Sequence, residues 1–180
     1  DMDFDAALLA VQQNKSDIVM AGVTVTEDRQ LVMNFSDSYA TGVQVVIVPE
    51  NSGIKAPDDL TGKKIGTQMG TTGYIYCSDT PENGGYGEKN VVGYDSGTVA
   101  VEALKSGKVD CVIIDNEPAK AYVAANTGLK ILDTEFANED YAICFSKKNP
   151  ELQKKVNDAL NELKASGEFQ KVVDKYIKAN

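Results

Sequence analysis

Three features of the sequence predict an α/β protein with mostly parallel sheets. Short runs of apolar and β-branched residues bounded by turn residues recur along the chain, capped helical repeats stand between them, and the two kinds alternate. The 180 residues are 42% hydrophobic and 25% charged, the balance of an ordinary globular protein, and suffice for one or two domains with a real core. No apolar run approaches the ~20 residues that span a bilayer, so no transmembrane helix is expected.

The elements follow in order. Phe4, Ala7, Leu8 and Val11 recur at helical spacing behind Asp3 or Asp5, which predicts a short amphipathic helix ending near Asn14. Asp17 to Gly22 is an apolar run of the kind that forms a buried strand, followed by a loop with Thr24, Thr26 and Arg29. Val43 to Val48 is a β-branched strand stopped by Pro49, and Ile54 to Leu60 is a polar connection ending at the Thr61-Gly62 turn. Lys64 to Gln68 is a strand running into Gly70-Thr71-Thr72-Gly73, with a helix starting over Tyr74 to Cys77. Thr80 to Lys89, rich in glycine, is a surface loop before a brief strand at Val91 to Tyr94. Ser96 caps a helix that Gly107 ends, Cys111 to Ile114 is a strand, and Asn116 with Pro118 opens a helix closed by Gly128. Strands at Leu129 to Leu132 and Tyr141 to Phe145 precede two terminal helices separated by Gly167, the last carrying Phe169, Val172, Val173, Tyr176 and Ile177. Ala10 to Gly22 echoes Ala103 to Asp115 at an offset of 93, either as two related α/β units or as generic packaging. Two such units would bring Gly22 and Asp115 to strand ends, where ligands collect in open α/β sheets.

Composition narrows the chemistry. Eighteen basic against 27 acidic side chains give a formal charge of −9, which repels nucleic acid and anionic lipid. Histidine is absent, which excludes Ser-His-Asp, Cys-His and zinc-His chemistry; no metal or cofactor is expected. Cys77, Cys111 and Cys144 have no metal-ligand spacing and read as small core residues, with a Cys77–Cys111 bridge left open. The first residues carry neither a basic segment nor an apolar run, so an export signal, if the protein has one, has been removed.

Three places stand out as binding candidates. Arg29 is the only arginine of the 18 basic residues, and its planar fork matches a carboxylate as an ammonium cannot; the alternative is a surface salt bridge to Glu27, Asp28 or Asp37. Gly70-Thr71-Thr72, between a strand and a helix, presents backbone N–H groups and hydroxyls suited to an anion, or is a plain turn; it is neither a Walker loop nor a dinucleotide fingerprint. Asp115, ending an apolar strand, either receives an ammonium group or caps the next helix. Asp17 and Asp110 read as turn residues. A carboxylate fork, an anion-holding turn and an ammonium acceptor together fit a free α-amino acid.

These residues bring a resemblance into view. Met20-Ala-Gly-Val-Thr-Val-Thr-Glu-Asp-Arg29 with Asn34-Phe-Ser-Asp-Ser-Tyr39, and Gly62-Lys-Lys-Ile-Gly66 leading into Gly70-Thr71-Thr72, resemble the polar amino-acid solute-binding proteins of ABC transporters. Asp110 to Asp115, Tyr141 to Lys147 and the C-terminal helices fit the same pattern, so the similarity runs through the whole chain. The resemblance implies a two-lobed fold of the periplasmic-binding-protein-like type II class, with residues 1–42 and 141–180 in the first lobe and 43–140 in the second. Thr41 to Val45 and Asp140 to Cys144 would be the hinge strands. It further implies that Arg29 grips the ligand α-carboxylate with Thr24 and the backbone near Gly22, that Gly70, Thr71 and Thr72 add donors, that Asp115 accepts from the α-ammonium, and that Gln68 touches the side chain. The implied partners are a polar amino acid and a transporter permease, and the implied location is periplasmic or at the cell surface.

Members of this family normally begin with a strand, a helix and a second strand before the position of Asp1, and that piece normally supplies an aromatic contact and an acidic one. The first lobe is therefore expected to be incomplete at its N-terminus, as in a truncated or cleaved product, or to be completed by another chain such as a second copy. A dehydratase-like enzyme using Asp115 or Glu117, or an amino-acid sensor domain, are the competing readings on the same fold. The identity of the amino acid is not legible in the sequence.

Overall fold

The computed structural model describes residues 2–176; Ile177, assigned by spacing to the last helix, lies outside the described residues. The chain divides into two compact units, a central one of Asp1–Leu8 and Thr41–Glu139 and a flanking one of Leu9–Ala40 and Asp140–Asn180.

The first helix, α1, covers Phe4–Gln12. It stops because Asn14 turns left-handed, with φ 59°, and Lys15 N–H bonds back to the Ala10 carbonyl. In the flanking unit follow β1 (Ile18–Thr24), α2 (Glu27–Val32) and β2 (Met33–Phe35). The segment with Thr26 and Arg29 is thus a short helix instead of a loop. Thr26 caps it, its hydroxyl accepting from Arg29 N–H at 3.2 Å. Six residues are too few to show a helical period, so only the cap could have marked it.

The central unit contains β3 (Ala40–Pro49, from Thr41 onward), β4 (Ile65–Gln68), α2's successor α3 (Thr72–Ser78), β5 (Val91–Tyr94), α4 (Gly97–Lys105), β6 (Cys111–Asp115), α5 (Asn116–Ala125) and β7 (Leu129–Ile131). The connection before β4 and the glycine-rich loop after α3 each contain short 3-10 turns, at Pro57–Leu60, Pro81–Asn83 and Glu88–Asn90. One apolar layer of Val45, Ile47, Val112 and Ile114 packs on α4 and α5, and the other, of Val46, Val48, Ile65 and Ile113, packs with Cys77 of α3. Both sheet faces are therefore covered by apolar side chains.

Strand β8 (Ala137–Ser146) carries the chain into the flanking unit, where α6 (Pro150–Ala165) and α7 (Glu168–Tyr176) complete the described part. The expectation of mostly parallel sheets is corrected by the pairing. β4 is parallel to β5 and β6, but β3 is antiparallel to β6 and β7, and β8 is antiparallel to β1 and β2. Parallel pairing needs a helical crossover, and α3 and α4 supply it only around β4, β5 and β6. Among the described residues no helix is long and apolar enough to cross a membrane.

Candidate binding site

In the flanking unit the structure brings together Gly22, Thr24 and Arg29. β1 pairs with β8 through Val19↔Cys144 and then Val23↔Ala142, so three residues of β1, Met20 to Gly22, oppose the single Ile143. Gly22 sits at the end of this bulge with φ +61°, a conformation that favours glycine. A Cβ there would lie 3.3 Å from the ring of Tyr141. Beyond the bulge, Thr24 is buried, and its carbonyl accepts a 2.8 Å hydrogen bond from Arg29 Nη1. Arg29 is only 7% exposed, so it does not sit on the surface as a salt-bridge residue would. A guanidinium is costly to bury unless acceptors receive its N–H groups, and the strand end delivers a carbonyl for that purpose.

In the central unit Gln68, Gly70, Thr71, Thr72 and Asp115 gather where β4 and β6 end. These strands are parallel neighbours, with Thr67 beside Ile113, so their carboxyl ends open on the same side. Gly70 has φ +76°, and a Cβ there would come within 2.7 Å of Asp5 Cβ. Thr71 is the N-cap of α3: its hydroxyl donates to the Gln68 carbonyl at 2.7 Å and accepts from Tyr74 N–H at 3.4 Å. That hydroxyl proton is thus spent on the turn itself. Thr72, the first residue of α3, is buried. Gln68 Nε2 donates to the Asp95 carbonyl at 3.4 Å. Asp115 occupies the N-cap position of α5, which starts at Asn116 ahead of Pro118, yet its side chain makes no capping hydrogen bond. Its half-buried carboxylate follows directly on the buried Ile113 and Ile114.

The cysteines are free and buried, so the Cys77–Cys111 bridge is not formed. Burial raises all three thiol pKa values, with Cys111 and Cys144 pushed up to about 12; nearby Arg29 pulls Cys144 slightly the other way. Among the described residues no group of three or more Cys, Asp or Glu is placed to hold a metal ion.

Two features escaped the sequence reading. Tyr39, although inside a quoted motif, carried no sign that its hydroxyl accepts from Gly22 N–H at 3.0 Å. Nor did Gln44 and Glu139, which are buried and joined by a 3.1 Å bond from Gln44 Nε2 to Glu139 Oε2. Their polar positions in strands were the only available signal.

Residues 1–179 match the bacterial extracellular solute-binding proteins, family 3. The chain belongs to this family. It is 32% identical to a probable histidine-binding protein of Neisseria gonorrhoeae over 97% of the chain and 65% of that relative. It is 32% identical to the arginine-binding extracellular protein ArtP of Bacillus subtilis (strain 168) over 98% of the chain and 69% of the relative. Among solved structures, an ancestral arginine-binding protein bound to arginine is 40% identical, with a TM-score of 0.86 over 98% of this chain and 78% of that one. The chain thus spans about two thirds of the length of these sequence relatives. The relatives are named for binding, not for catalysis.

Proposed function

We propose that this family member captures a polar amino acid outside the cytoplasm and hands it to an ABC-transporter permease. The observation that carries the reading is Arg29: a lone arginine, buried, oriented by the Thr24 carbonyl and preceded by a glycine bulge. A ligand carboxylate would meet a guanidinium already aimed by the fold, with little ordering left to do. Asp115 supplies the complementary charge for an α-ammonium. A free α-amino acid carries both groups. The names of the relatives favour a basic side chain, arginine or histidine. The reading involves no bond-making step, and its location would be periplasmic or cell-surface.

In this proposal two of the three chain crossings between the units, at residues 40–41 and 139–140, act as hinges, the third falling inside α1 at residues 8–9. The ligand favours closure to the extent that it contacts the closed state better than the open one. Calorimetric titration with arginine, lysine, histidine, glutamine and cystine tests the ligand class. Arg29→Ala should weaken the best ligand by about tenfold or more, since a charge-assisted hydrogen bond contributes roughly 1.5–3 kcal/mol. Unchanged affinity in that variant would remove Arg29 from the site.

A further inference from the structure

The bulge that precedes Thr24 and Arg29 is held by side chains from outside its own strand. Met20, Ala21 and Gly22 have no partner in the β1–β8 register. A half-buried peptide N–H outside a ladder still needs an acceptor, and for Gly22 it is the Tyr39 hydroxyl at 3.0 Å. Tyr39 is itself fixed by its backbone, whose N–H donates to the Tyr141 carbonyl at 2.8 Å. Cys144 of β8 pairs with Val19 on β1 and with Phe35 on β2, so β1 and β2 flank opposite edges of β8. Tyr39 follows β2 along its edge. Its side chain therefore reaches across β8 to the strand on the far side. The Tyr141 ring packs against Gly22 as well, at 3.3 Å from where a Cβ would stand.

Ser36 reinforces this frame on the β2 edge. Its N–H donates to the Ile143 carbonyl at 2.9 Å, and its hydroxyl accepts from Ile143 N–H at 3.0 Å. Ile143 is the residue that faces the bulge. The strand opposite the bulge is thus pinned on one edge by Ser36, while Tyr39 spans it and closes on Gly22.

We propose that Tyr39 is a positioning residue for the carboxylate grip. Its hydroxyl sets the orientation of the Gly22 peptide, and through the two residues that follow, the direction of the Thr24 carbonyl that aims Arg29. This inference rests on the amino-acid-binding reading above. It adds that affinity for the carboxylate depends on a hydroxyl assigned no ligand contact. The placement has a further consequence: Tyr39 and Tyr141 lie within two residues of the crossings at 40–41 and 139–140, so both covers of the bulge come from the segments that would move at a hinge.

The test uses Tyr39→Phe, which removes one oxygen, and Tyr86→Phe as a control that loses a tyrosine hydroxyl bond elsewhere, to the Pro57 carbonyl at 3.1 Å. Two quantities are read. The first is amide hydrogen exchange at Gly22 without ligand, expected to rise about tenfold in Tyr39→Phe and to stay constant in Tyr86→Phe. The second is the affinity ratio of arginine to agmatine, and of histidine to histamine, pairs that differ by the carboxylate. For whichever pair binds, the ratio should narrow about threefold to tenfold in Tyr39→Phe alone, because a general loss of stability weakens both members equally. Unchanged Gly22 exchange, or an unchanged ratio in a protein that binds, overturns the role of Tyr39 while leaving the amino-acid reading intact. A wild-type protein that shows no preference for the carboxylate-bearing member overturns the amino-acid reading and this inference together.

Discussion

The two units reach their structures by different means. The central unit is sealed by hydrocarbon: Ile47, Val46, Val48, Ile65, Val112 and Ile113 are fully buried, and helices cover both faces of the sheet. The flanking unit relies more on side-chain hydrogen bonds. Asp37 accepts from Asn157 and Asn161 of α6 at 3.1 and 2.8 Å, its own N–H donates to Asn157 at 2.6 Å, and Gln153 donates to the Phe35 carbonyl at 2.7 Å. Its apolar groove of about 570 Å³, lined by Met20, Leu160, Leu163, Phe169 and Val172 among others, remains open. Hydrocarbon burial is insensitive to pH and direction, whereas hydrogen bonds to a carboxylate are neither. The unit that bears the buried arginine is thus the one whose polar ties must be kept in order.

The largest test of this contrast is truncation. Ile47→Ala should destabilise by about 2–5 kcal/mol, and Leu163→Ala, at a half-exposed groove position, by less than about 1 kcal/mol, as read from urea midpoints. A loss at Leu163 as large as that at Ile47 would mean that the groove is covered in solution.

Thiol labelling sharpens the comparison without mutation. With burial raising every thiol pKa, native protein at pH 8 should react slowly at all three cysteines. Under mild urea Cys144, in the flanking unit, should label before Cys77 and Cys111, as mass spectrometry of quenched samples would report. Simultaneous labelling would show that the two units open together and would break the contrast.

The smallest effect concerns acid. Bonds from Asn161 and Asn157 hold the exposed Asp37 carboxyl below its ordinary value of 3.8. A depressed carboxyl contributes stability above its unfolded value and loses it as pH falls through the folded one. Protection of α6 amides should therefore decline below about pH 4, and Asp37→Ala should flatten that decline. An unaltered profile in the variant would remove Asp37 from the acid response.

Much of this was legible in the chain. The apolar runs that became β1, β3 and β6 were visible because a buried strand needs nothing but neighbouring hydrocarbon, and Gly107, Gly128 and Gly167 marked helix ends through their left-handed backbone. Strand direction was not legible, since the partner of β3 or β8 is chosen by connections dozens of residues long. The solitary Arg29 announced itself by composition. Its burial and its bond to Thr24 did not, because both depend on a six-residue helix and on a bulge that only pairing with β8 defines.

That bulge also limits how the sequence can drift in length. Between the pairs Val19↔Cys144 and Val23↔Ala142, β1 holds two residues in surplus over β8. Because strand side chains alternate with a period of two, losing both would leave Thr24 on its present side. Losing just one would leave two residues against Ile143, a bulge that an antiparallel pair also absorbs without reversing the residues beyond it. What the drift in length must spare is therefore Gly22, whose left-handed backbone leads the strand on to Thr24.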